Sequence, residues 1–313
     1  MDKPRVFVTR RLAVDPASVL GPGIEIDQFD SEEPLARAEL LRRSAGVQAL
    51  LPILGDRVDR ELLDAAPQLR IVANHAVGYD NVDVPACTSR GVWVTNTPGV
   101  LTESTADLAF TLLLTLARRI REGERMVREG RWRGWAPTQL MGMELHGKTL
   151  GIVGYGRIGQ AVARRAEGFG MRVLFSDMGS GVPLEELLAQ ADIVTIHAPL
   201  MKETHHLIGA AELLRMKKGA LLVNSARGPI VDEAALVAAL QAGHIGGAAL
   251  DVYEFEPKVH QALLARDDVV LLPHLGSATR ETREAMARLA LTDIERVLRG
   301  ERPLHAVNEI AQR

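Results

Sequence analysis

The sequence has little cysteine, few aromatic residues and little net charge. Its one cysteine, Cys87, excludes an intrachain disulfide and a cysteine-rich zinc site, and fits a reducing cytosol. A net charge of −3 gives no sign of a polyanionic partner, so we expect no nucleic-acid binding. The longest apolar stretch, 108–117, is too short to span a bilayer, and the first residues lack the pattern of a signal peptide. These absences predict a cytoplasmic protein with no membrane partner.

Three glycines of a particular spacing lie at the centre of the chain. Gly154, Gly156 and Gly159 form a G-x-G-x-x-G pattern between an apolar run at 150–153 and a helical pattern that begins at residue 160. In this context the first glycine permits a tight turn, the second lets the backbone approach a pyrophosphate, and the third lets the helix pack against the strand. The pattern therefore predicts a dinucleotide site, with a purely structural glycine-rich turn as the alternative.

The residue that ends the next apolar run indicates which dinucleotide is bound. Asp177 follows the run at 171–175, and no arginine or lysine stands at 178–180. A carboxylate at this position accepts hydrogen bonds from both ribose hydroxyls and repels a 2′-phosphate. We therefore expect NAD, with NADH favoured over NADPH.

Strand and helix patterns alternate along the whole chain, which is typical of parallel sheets. Before the glycine pattern, strands are predicted at 5–9, 24–29, 48–53, 70–73 and 92–94. From the glycine pattern onward, six strands are predicted, at 150–153, 171–175, 192–196, 220–223, 247–250 and 269–272. A final amphipathic helix at 280–298 is long enough to pack back on the first domain. The predicted fold is α/β, with two doubly wound parallel-sheet domains.

A long helix and an arm are predicted between the two sheets. The helix begins at Thr102 or Ser104, and seven arginines between residues 118 and 133 are diluted by glutamates. We interpret this stretch as a solvated helix rather than a nucleic-acid surface. Trp132 and Trp135 follow on an arm rich in glycine and proline. Because such tryptophans more often bury against something than stay exposed, another subunit is a plausible partner.

Polar residues that follow the strands are the candidates for chemistry, because ligands bind at the carboxyl ends of such strands. Arg227 offers a planar fork for a substrate carboxylate. His274 has the side chain that suits proton donation at neutral pH, and Glu256 is expected to hold its far ring nitrogen. The structural alternatives are a helix-end surface charge for Arg227, a helix N-terminal acid for Glu256, and a core histidine for His274.

The remaining histidines and the cysteine predict no further chemistry. His205 and His206 are adjacent, so they should not share a face, and we interpret both as surface residues. No ligand cluster is apparent, so we expect no metal. Cys87 has no base nearby in sequence, and we interpret it as a small buried residue.

Several motifs, in this order, resemble the D-isomer-specific 2-hydroxyacid dehydrogenases. They are NHAVGYDNVDV (74–84), TPGVLTESTADLAF (97–110), GYGRIG (154–159) with Asp177, HAPL (197–200), NSARGPIVDEAAL (224–236), AALDVYEFEP (248–257) and LLPHLGSAT (271–279). The resemblance implies a central Rossmann NAD domain at 99–285. It also implies a smaller, flavodoxin-like substrate domain made of 1–98 and 286–313, and a homodimer formed through the NAD domains.

The resemblance implies roles for individual residues as well. Arg227 would hold the substrate carboxylate and carbonyl, His274 would be the acid/base, and Glu256 its partner. The backbone N–H groups of Val77 and Gly78 would hold the carboxylate from the other domain. The residues expected at the cofactor are Thr105, Gly154, Gly156, Arg157, Ile158, Gly159, Asp177, His197, Ala198, Pro199, Thr204, Ser225, Ala226, Arg227, Asp251, His274 and Gly276.

Within the family, RWRGWAP (131–137) followed by ELHGKTLGIVG (144–154) is similar to the glyoxylate and hydroxypyruvate reductases. This similarity implies that Trp135 reaches the partner subunit's pocket and that Leu54 contacts substrate. Gly55 and His75 differ from the residues that are common at these positions in the group. The chain also lacks the arginine that many members of the group carry after the second strand. The expected reaction is NADH-dependent reduction of a small 2-oxo acid, glyoxylate or hydroxypyruvate. The alternatives are another D-2-hydroxyacid dehydrogenase, a phosphite dehydrogenase, and a non-catalytic NADH-sensing protein like the family's corepressors.

Overall fold

The first part of the chain folds as a parallel five-stranded sheet in a computed structural model that describes residues 3–310. The strands are β1 (Arg5–Val8), β2 (Glu25–Gln28), β3 (Ala49–Leu51), β4 (Ile71–Ala73) and β5 (Trp93–Thr95). Their order is β2-β1-β3-β4-β5, the flavodoxin-like order that the sequence predicts. The connecting helices are α1 (Ala17–Leu20), α2 (Arg37–Ser44), α3 (Arg60–Ala65) and α4 (Val84–Ser89).

The central part of the chain forms a seven-stranded sheet. Its strands are β6 (Thr149–Val153), β7 (Arg172–Asp177), β8 (Ser180–Gly181), β9 (Ile193–Ile196), β10 (Leu221–Asn224), β11 (Gly247–Leu250) and β12 (Val269–Leu271), in the order β12-β11-β10-β9-β6-β7-β8. Six are parallel, at the places the sequence predicts. The prediction missed β8, a two-residue strand that pairs antiparallel with β7. A strand this short has no periodicity for a sequence pattern to reveal.

Helices cover both faces of this sheet. They are α5 (Thr102–Ala117), α6 (Ile120–Arg128), α7 (Arg157–Gly168), α8 (Leu184–Gln190), α9 (Ala210–Arg215), α10 (Glu233–Gln241) and α11 (Gln261–Leu264). Apolar side chains of α5 and α7 form the core on one face, and those of α8, α9 and α10 form the core on the other. Because β6 lies between β9 and β7, the strand order reverses at the glycine pattern. Parallel sheets of this kind bind ligands at that point.

The predicted single helix after Thr102 is two helices. Arg119 adopts a left-handed conformation, with φ of 51°, between α5 and α6. The carbonyl oxygen of Ala117 accepts a hydrogen bond from the N–H of Met143 at 2.7 Å. The left-handed residue interrupts the helix, so α5 ends at Ala117 and α6 begins at Ile120.

The last helix, α12 (Arg280–Leu298), belongs to the same compact unit as the first sheet. Its buried face contributes Ala287, Leu291 and Ile294 to a core shared with β1, β3 and β4. Of the two predicted caps, Thr279 is the one whose side chain accepts the N–H of Thr282.

The chain therefore divides into two compact units. The first comprises residues up to 101 and from 277 onward, and the second comprises 102–276. The sequence prediction placed the boundaries at 98/99 and 285/286. The second of these falls inside α12, which is one continuous helix, so the structure moves that boundary to the loop before the helix.

Candidate active site

The glycine loop after β6 has the shape that a pyrophosphate requires. Gly154 has φ of 90°, and a Cβ there would overlap the backbone of Ala198. A Cβ at Gly159 would overlap the carbonyl oxygen of Gly154, so only glycine lets α7 approach β6. A Cβ at Gly156, by contrast, would meet no atom within 4 Å. This open space lies at the N-terminus of α7, where the unpaired N–H groups of Arg157 and Ile158 attract anions.

Asp177 is held in a fixed position beside the glycine loop. The N–H of Tyr155 donates to its Oδ2 at 3.1 Å, and the N–H of Met178 donates to its Oδ1 at 2.8 Å. The ring of Tyr155 stacks on Phe175 of β7 with 3.9 Å between centroids. The carboxylate is exposed at the strand end, so both oxygens keep lone pairs for ribose hydroxyls.

The segment after β9 lies against the glycine loop. His197 donates its N–H to the carbonyl oxygen of Val153 at 2.7 Å, and its Nε2 is 2.9 Å from Oγ1 of Thr195. Burial lowers the pKa of His197 to about 4, so the ring is neutral at pH 7. Thr204 donates its hydroxyl to the carbonyl of Pro199 at 2.7 Å, which shapes the loop. These contacts fix the segment after β9 beside the glycine loop.

The loop that carries Arg227 is fixed by Asn224, the last residue of β10. The side-chain amide of Asn224 donates to the carbonyl of Arg227 at 2.9 Å, and its oxygen accepts the N–H of Ala226 at 3.1 Å. Ser225 is buried, and within residues 3–310 its hydroxyl has no hydrogen-bond partner. A buried hydroxyl left in this state is a position where a ligand would be expected to bind.

The structure pairs Glu256 with His274, as the sequence predicts. Oε2 of Glu256 is 3.0 Å from Nδ1 of His274, and Oε1 accepts the N–H of Tyr253 at 3.0 Å. Burial opposes the charge of Glu256, but the hydrogen bond and charge of His274, the N–H of Tyr253 and the charge of Arg227 outweigh it. The pKa of Glu256 is therefore lowered. Because Nδ1 is engaged by the carboxylate, Nε2 is the ring atom available to a substrate.

His274 adopts an unusual backbone conformation that a buried aspartate supports. Its φ is 57°, in the left-handed region. Its N–H donates to the carbonyl of Asp251, and the carboxylate of Asp251 accepts the N–H groups of Leu275 and Gly276 at 2.6 and 2.8 Å. Burial is the main reason that the pKa of Asp251 is raised. Thr105 donates its hydroxyl to the carbonyl of Gly276 at 3.1 Å, so this loop is held from two sides.

The geometry excludes the structural alternatives that were open for Glu256 and His274. Glu256 precedes no helix start, since α11 begins at Gln261. The His274 side chain keeps about a third of its surface exposed and contacts a carboxylate, so it is not a core histidine.

The first unit supplies the other predicted substrate loop. Asn74 donates its side-chain amide to the carbonyl of Gly78, and Asn96 donates to the carbonyl of Val77, both at 2.8 Å. Within the described residues, no acceptor takes the N–H of Val77 or Gly78. The loop is thus fixed through its carbonyls while two N–H groups stay available. Leu54 lies on a neighbouring loop of the same unit and is half-buried.

His205 and His206 lie at the surface, and the side chain of His206 keeps 37% of its surface exposed, but the contacts that they make could not be predicted from the sequence. The two rings lie 4.1 Å apart, and Nε2 of His206 is 2.7 Å from Oε1 of Glu254. His206 has φ of 52°, and this left-handed backbone turns its ring toward the same side as that of His205. The sequence carried no signal for this contact, because it joins residues 48 positions apart.

Other predictions concern metals, membranes and the cysteine. In the part of the chain that the structure describes, no group of three or more histidine, cysteine or acidic side chains could hold a metal. No helix among residues 3–310 is long and apolar enough to cross a membrane. Cys87 is buried, as predicted, and burial raises the pKa of its thiol to about 12. Trp132 and Trp135 are exposed, Trp135 by 84%.

A parallel sheet whose strand order reverses at a glycine loop, with an exposed carboxylate at the end of the next strand and a histidine–glutamate pair, is typical of a dinucleotide-dependent oxidoreductase. A family model for the NAD binding domain of D-isomer specific 2-hydroxyacid dehydrogenases matches residues 110–276. The chain belongs to this family.

Similar proteins and structures cover almost the whole chain. A glyoxylate reductase of Korarchaeum cryptofilum is 49% identical over 98% of this chain and 96% of its own length. A crystal structure of the TT0316 protein from Thermus thermophilus is 47% identical, with a TM-score of 0.92 over 97% of this chain and all of the other. An NADPH-dependent glyoxylate/hydroxypyruvate reductase from Sinorhizobium meliloti, in complex with NADP and malonate, is 37% identical. Its TM-score is 0.86 over 100% of this chain and 99% of the other.

Proposed function

We propose that this protein reduces a small 2-oxo acid, glyoxylate or hydroxypyruvate, with NADH. The observation that carries the proposal is the 3.0 Å contact between Glu256 and Nδ1 of His274 in the unit that also holds the glycine loop. Relatives that are 46–49% identical over 98% of the chain bear the name glyoxylate reductase.

The chain's own residues supply binding and proton transfer in this proposal. Arg227 holds the substrate carboxylate through its planar fork and polarises the adjacent carbonyl. His274, protonated at Nε2, donates a proton to the carbonyl oxygen, and ionised Glu256 stabilises the imidazolium. NADH, when held by the glycine loop and Asp177, would supply the hydride that the carbonyl carbon accepts. The products are the 2-hydroxy acid, the oxidised cofactor and neutral His274.

The first unit is proposed as the substrate domain, and the second as the NAD domain. The N–H groups of Val77 and Gly78 are proposed to bind the substrate carboxylate, which fits their lack of an acceptor within residues 3–310. Leu54 is proposed to contact the substrate side chain. The other residues that the sequence motifs assign to the cofactor, from Thr105 to Gly276, are proposed to contact NADH.

NADH is proposed as the preferred cofactor because of Asp177. Its carboxylate is fixed by two backbone N–H groups and stays exposed where a 2′-phosphate would lie in NADPH. The Sinorhizobium meliloti relative is NADPH-dependent, so the preference differs within the family.

A homodimer in the cytoplasm is the proposed form of the protein. Trp132 and Trp135 are exposed by 55% and 84% on the segment between α6 and β6, together with Met141 at 67%. Exposed large apolar side chains on one segment favour contact with another subunit. Trp135 is proposed to reach the partner subunit's substrate pocket.

The experiment that tests the proposal is a panel of four 2-oxo acids with NADH and with NADPH. Absorbance of the reduced cofactor would be followed with glyoxylate, hydroxypyruvate, pyruvate and a longer 2-oxo acid. We expect the highest kcat/KM with glyoxylate or hydroxypyruvate and NADH. Turnover of the larger acids alone would contradict glyoxylate and hydroxypyruvate as substrates, but it would still support reduction of a 2-oxo acid. Tight NADH binding without turnover of any acid would favour phosphite oxidation or a sensing role instead.

A further inference from the structure

Three side chains outside the predicted site form a connected cluster, which we call the buckle: His206, Glu233 and Glu254. The carboxylate of Glu254 accepts the N–H of Glu233 at 3.1 Å, and the carboxylate of Glu233 accepts the N–H of Glu254, also at 3.1 Å. The other oxygen of Glu254 is 2.7 Å from Nε2 of His206. Glu233 also accepts the N–H of His260 at 2.8 Å.

The buckle is attached to the loop that carries Glu256. Glu254 lies two residues before Glu256. Tyr253, the residue before Glu254, donates its N–H to the side chain of Glu256 at 3.0 Å. The carboxylate of Glu233 accepts the N–H groups of Glu254 and His260, which lie before and after Glu256 in the chain. The side chain of Glu254 keeps 12% of its surface exposed, so its hydrogen bonds form largely out of water. The backbone around Glu256 is therefore held by charge-assisted hydrogen bonds.

The buckle is also attached to the loop that carries Arg227. The N–H of His206 donates to the carbonyl of Pro229 at 2.8 Å, two residues after Arg227. Gly228 packs so closely against Tyr253 and Glu254 that a Cβ there would overlap their backbone. His206 thus contacts one catalytic loop through its backbone and the other through its ring.

We propose that His206 is a positioning residue that, through Glu254, holds the loops of Arg227 and Glu256 in one fixed arrangement and so orients His274. This inference rests on the proposed function for its kinetic consequences. His206 itself contacts neither Arg227 nor His274 by any hydrogen bond that the described structure contains. Its effect is transmitted through the backbone, where a displacement of about 1 Å can cost on the order of a hundredfold in rate.

The test compares His206→Ala with a neighbouring control. His205→Phe keeps an aromatic ring beside His206 and removes only nitrogens that contact no carboxylate in the described structure. With glyoxylate and NADH, we expect His206→Ala to lower kcat/KM roughly ten- to a hundredfold. The loss should come with a changed pH profile, because Glu256, which contacts His274, lies on the loop that His206 holds through Glu254. Asp251 also acts on His274, and Arg227 acts on Glu256. NADH affinity should stay within about twofold, and His205→Phe should match wild type.

Two further variants separate positioning from simple loss of structure. His206→Gln retains a side-chain N–H donor and should restore most of kcat/KM. Glu254→Gln keeps one oxygen for the N–H of Glu233 but exchanges the oxygen that faces His206, so it should lose activity in the same way. If His206→Ala does not fold, Glu254→Gln decides the question. Wild-type kcat/KM and pH profile in Glu254→Gln or in folded His206→Ala, or equal losses in His206→Ala and His205→Phe, would overturn the proposal.

A measurement that needs no turnover keeps this inference separate from the proposed function. The ring resonances of His274, assigned by their loss in His274→Gln, report its hydrogen bond to Glu256 by NMR. They should shift in His206→Ala and stay unchanged in His205→Phe, even if the wild-type protein reduces no 2-oxo acid. Unshifted resonances in folded His206→Ala would refute the positioning role whatever the substrate is.

Discussion

His274 combines the side chain that we propose as the acid/base with a left-handed backbone, and only the side chain could be predicted from the sequence. Its position after the last strand of the sheet led to the correct expectation that it pairs with Glu256. Its φ of 57° could not be anticipated, because non-glycine residues seldom adopt that region. The conformation is supported by the buried Asp251, whose carboxylate accepts the next two N–H groups. Residues held in this way often serve function, since their environment must compensate the strain.

The contacts of the buckle could not be predicted from the sequence, although the neighbouring site residues could. Arg227, Glu256 and His274 were found because strand ends converge at one edge of a parallel sheet. Glu254 follows the same strand as Glu256, but His206 lies well beyond the end of β9, and the contact between His206 and Glu254 depends on the path of two loops. Loop geometry is set by tertiary hydrogen bonds, which local sequence patterns do not encode.

Asp177 gives a prediction about cofactor choice. Asp177→Ala removes the acceptor for the ribose hydroxyls and the charge that repels a 2′-phosphate, so KM for NADH should rise and KM for NADPH should fall. We expect the NADH/NADPH ratio of kcat/KM to drop by at least about tenfold, since the charge-assisted hydrogen bonds to the ribose hydroxyls are lost. Asp64→Ala, an exposed aspartate of the first unit that pairs with Arg90, is the control. A ratio that stays at the wild-type value would remove Asp177 from this role.

Strands and helices were predicted most accurately where their apolar side chains are buried. The six parallel strands of the central sheet are short apolar runs, and the structure has all six. The periodicity of α12 predicted its buried face, which packs on the first sheet. In both cases the burial of apolar side chains is the dominant favourable term, so the pattern of those side chains determines the element.

The segment from α5 to β6 was predicted less well for an identifiable reason. The helical pattern continues past Ala117, but the carbonyl of that residue is used by Met143, far along the chain. A long-range hydrogen bond of this kind overrides local helix propensity. The sequence pattern does not indicate which side chains the tryptophans after α6 contact, and both are exposed. Their contact with a second subunit therefore stays a proposal.

Both compact units contain a histidine that burial keeps neutral. Burial lowers the pKa of His75 in the first unit and of His197 in the second, in each case to about 4. In the unfolded chain each ring would take a proton near pH 6.5. Since the unfolded state then binds more protons, the free energy of unfolding should fall as pH drops from about 6.5 toward about 4.

This pH dependence can be tested in each unit separately. Urea unfolding would be followed at several pH values for wild type, His75→Gln and His197→Gln. Removing one histidine should reduce the loss of stability across that range by on the order of 3 kcal/mol. The two units need not unfold together, so each variant should change the transition of its own unit. Parallel curves for a variant and wild type would show that the histidine takes its proton equally easily in both states.

The proposed reaction depends on His274 as the acid/base of an NADH-dependent reductase. The most direct test is the rate of NADH oxidation with glyoxylate by His274→Ala beside wild type, with NADH affinity measured in both. Loss of the proton donor should lower turnover by a factor on the order of 10² to 10⁴. NADH binding should change little, because the glycine loop and Asp177 are untouched. Turnover near the wild-type value would contradict the account, since the proton would then come from another group.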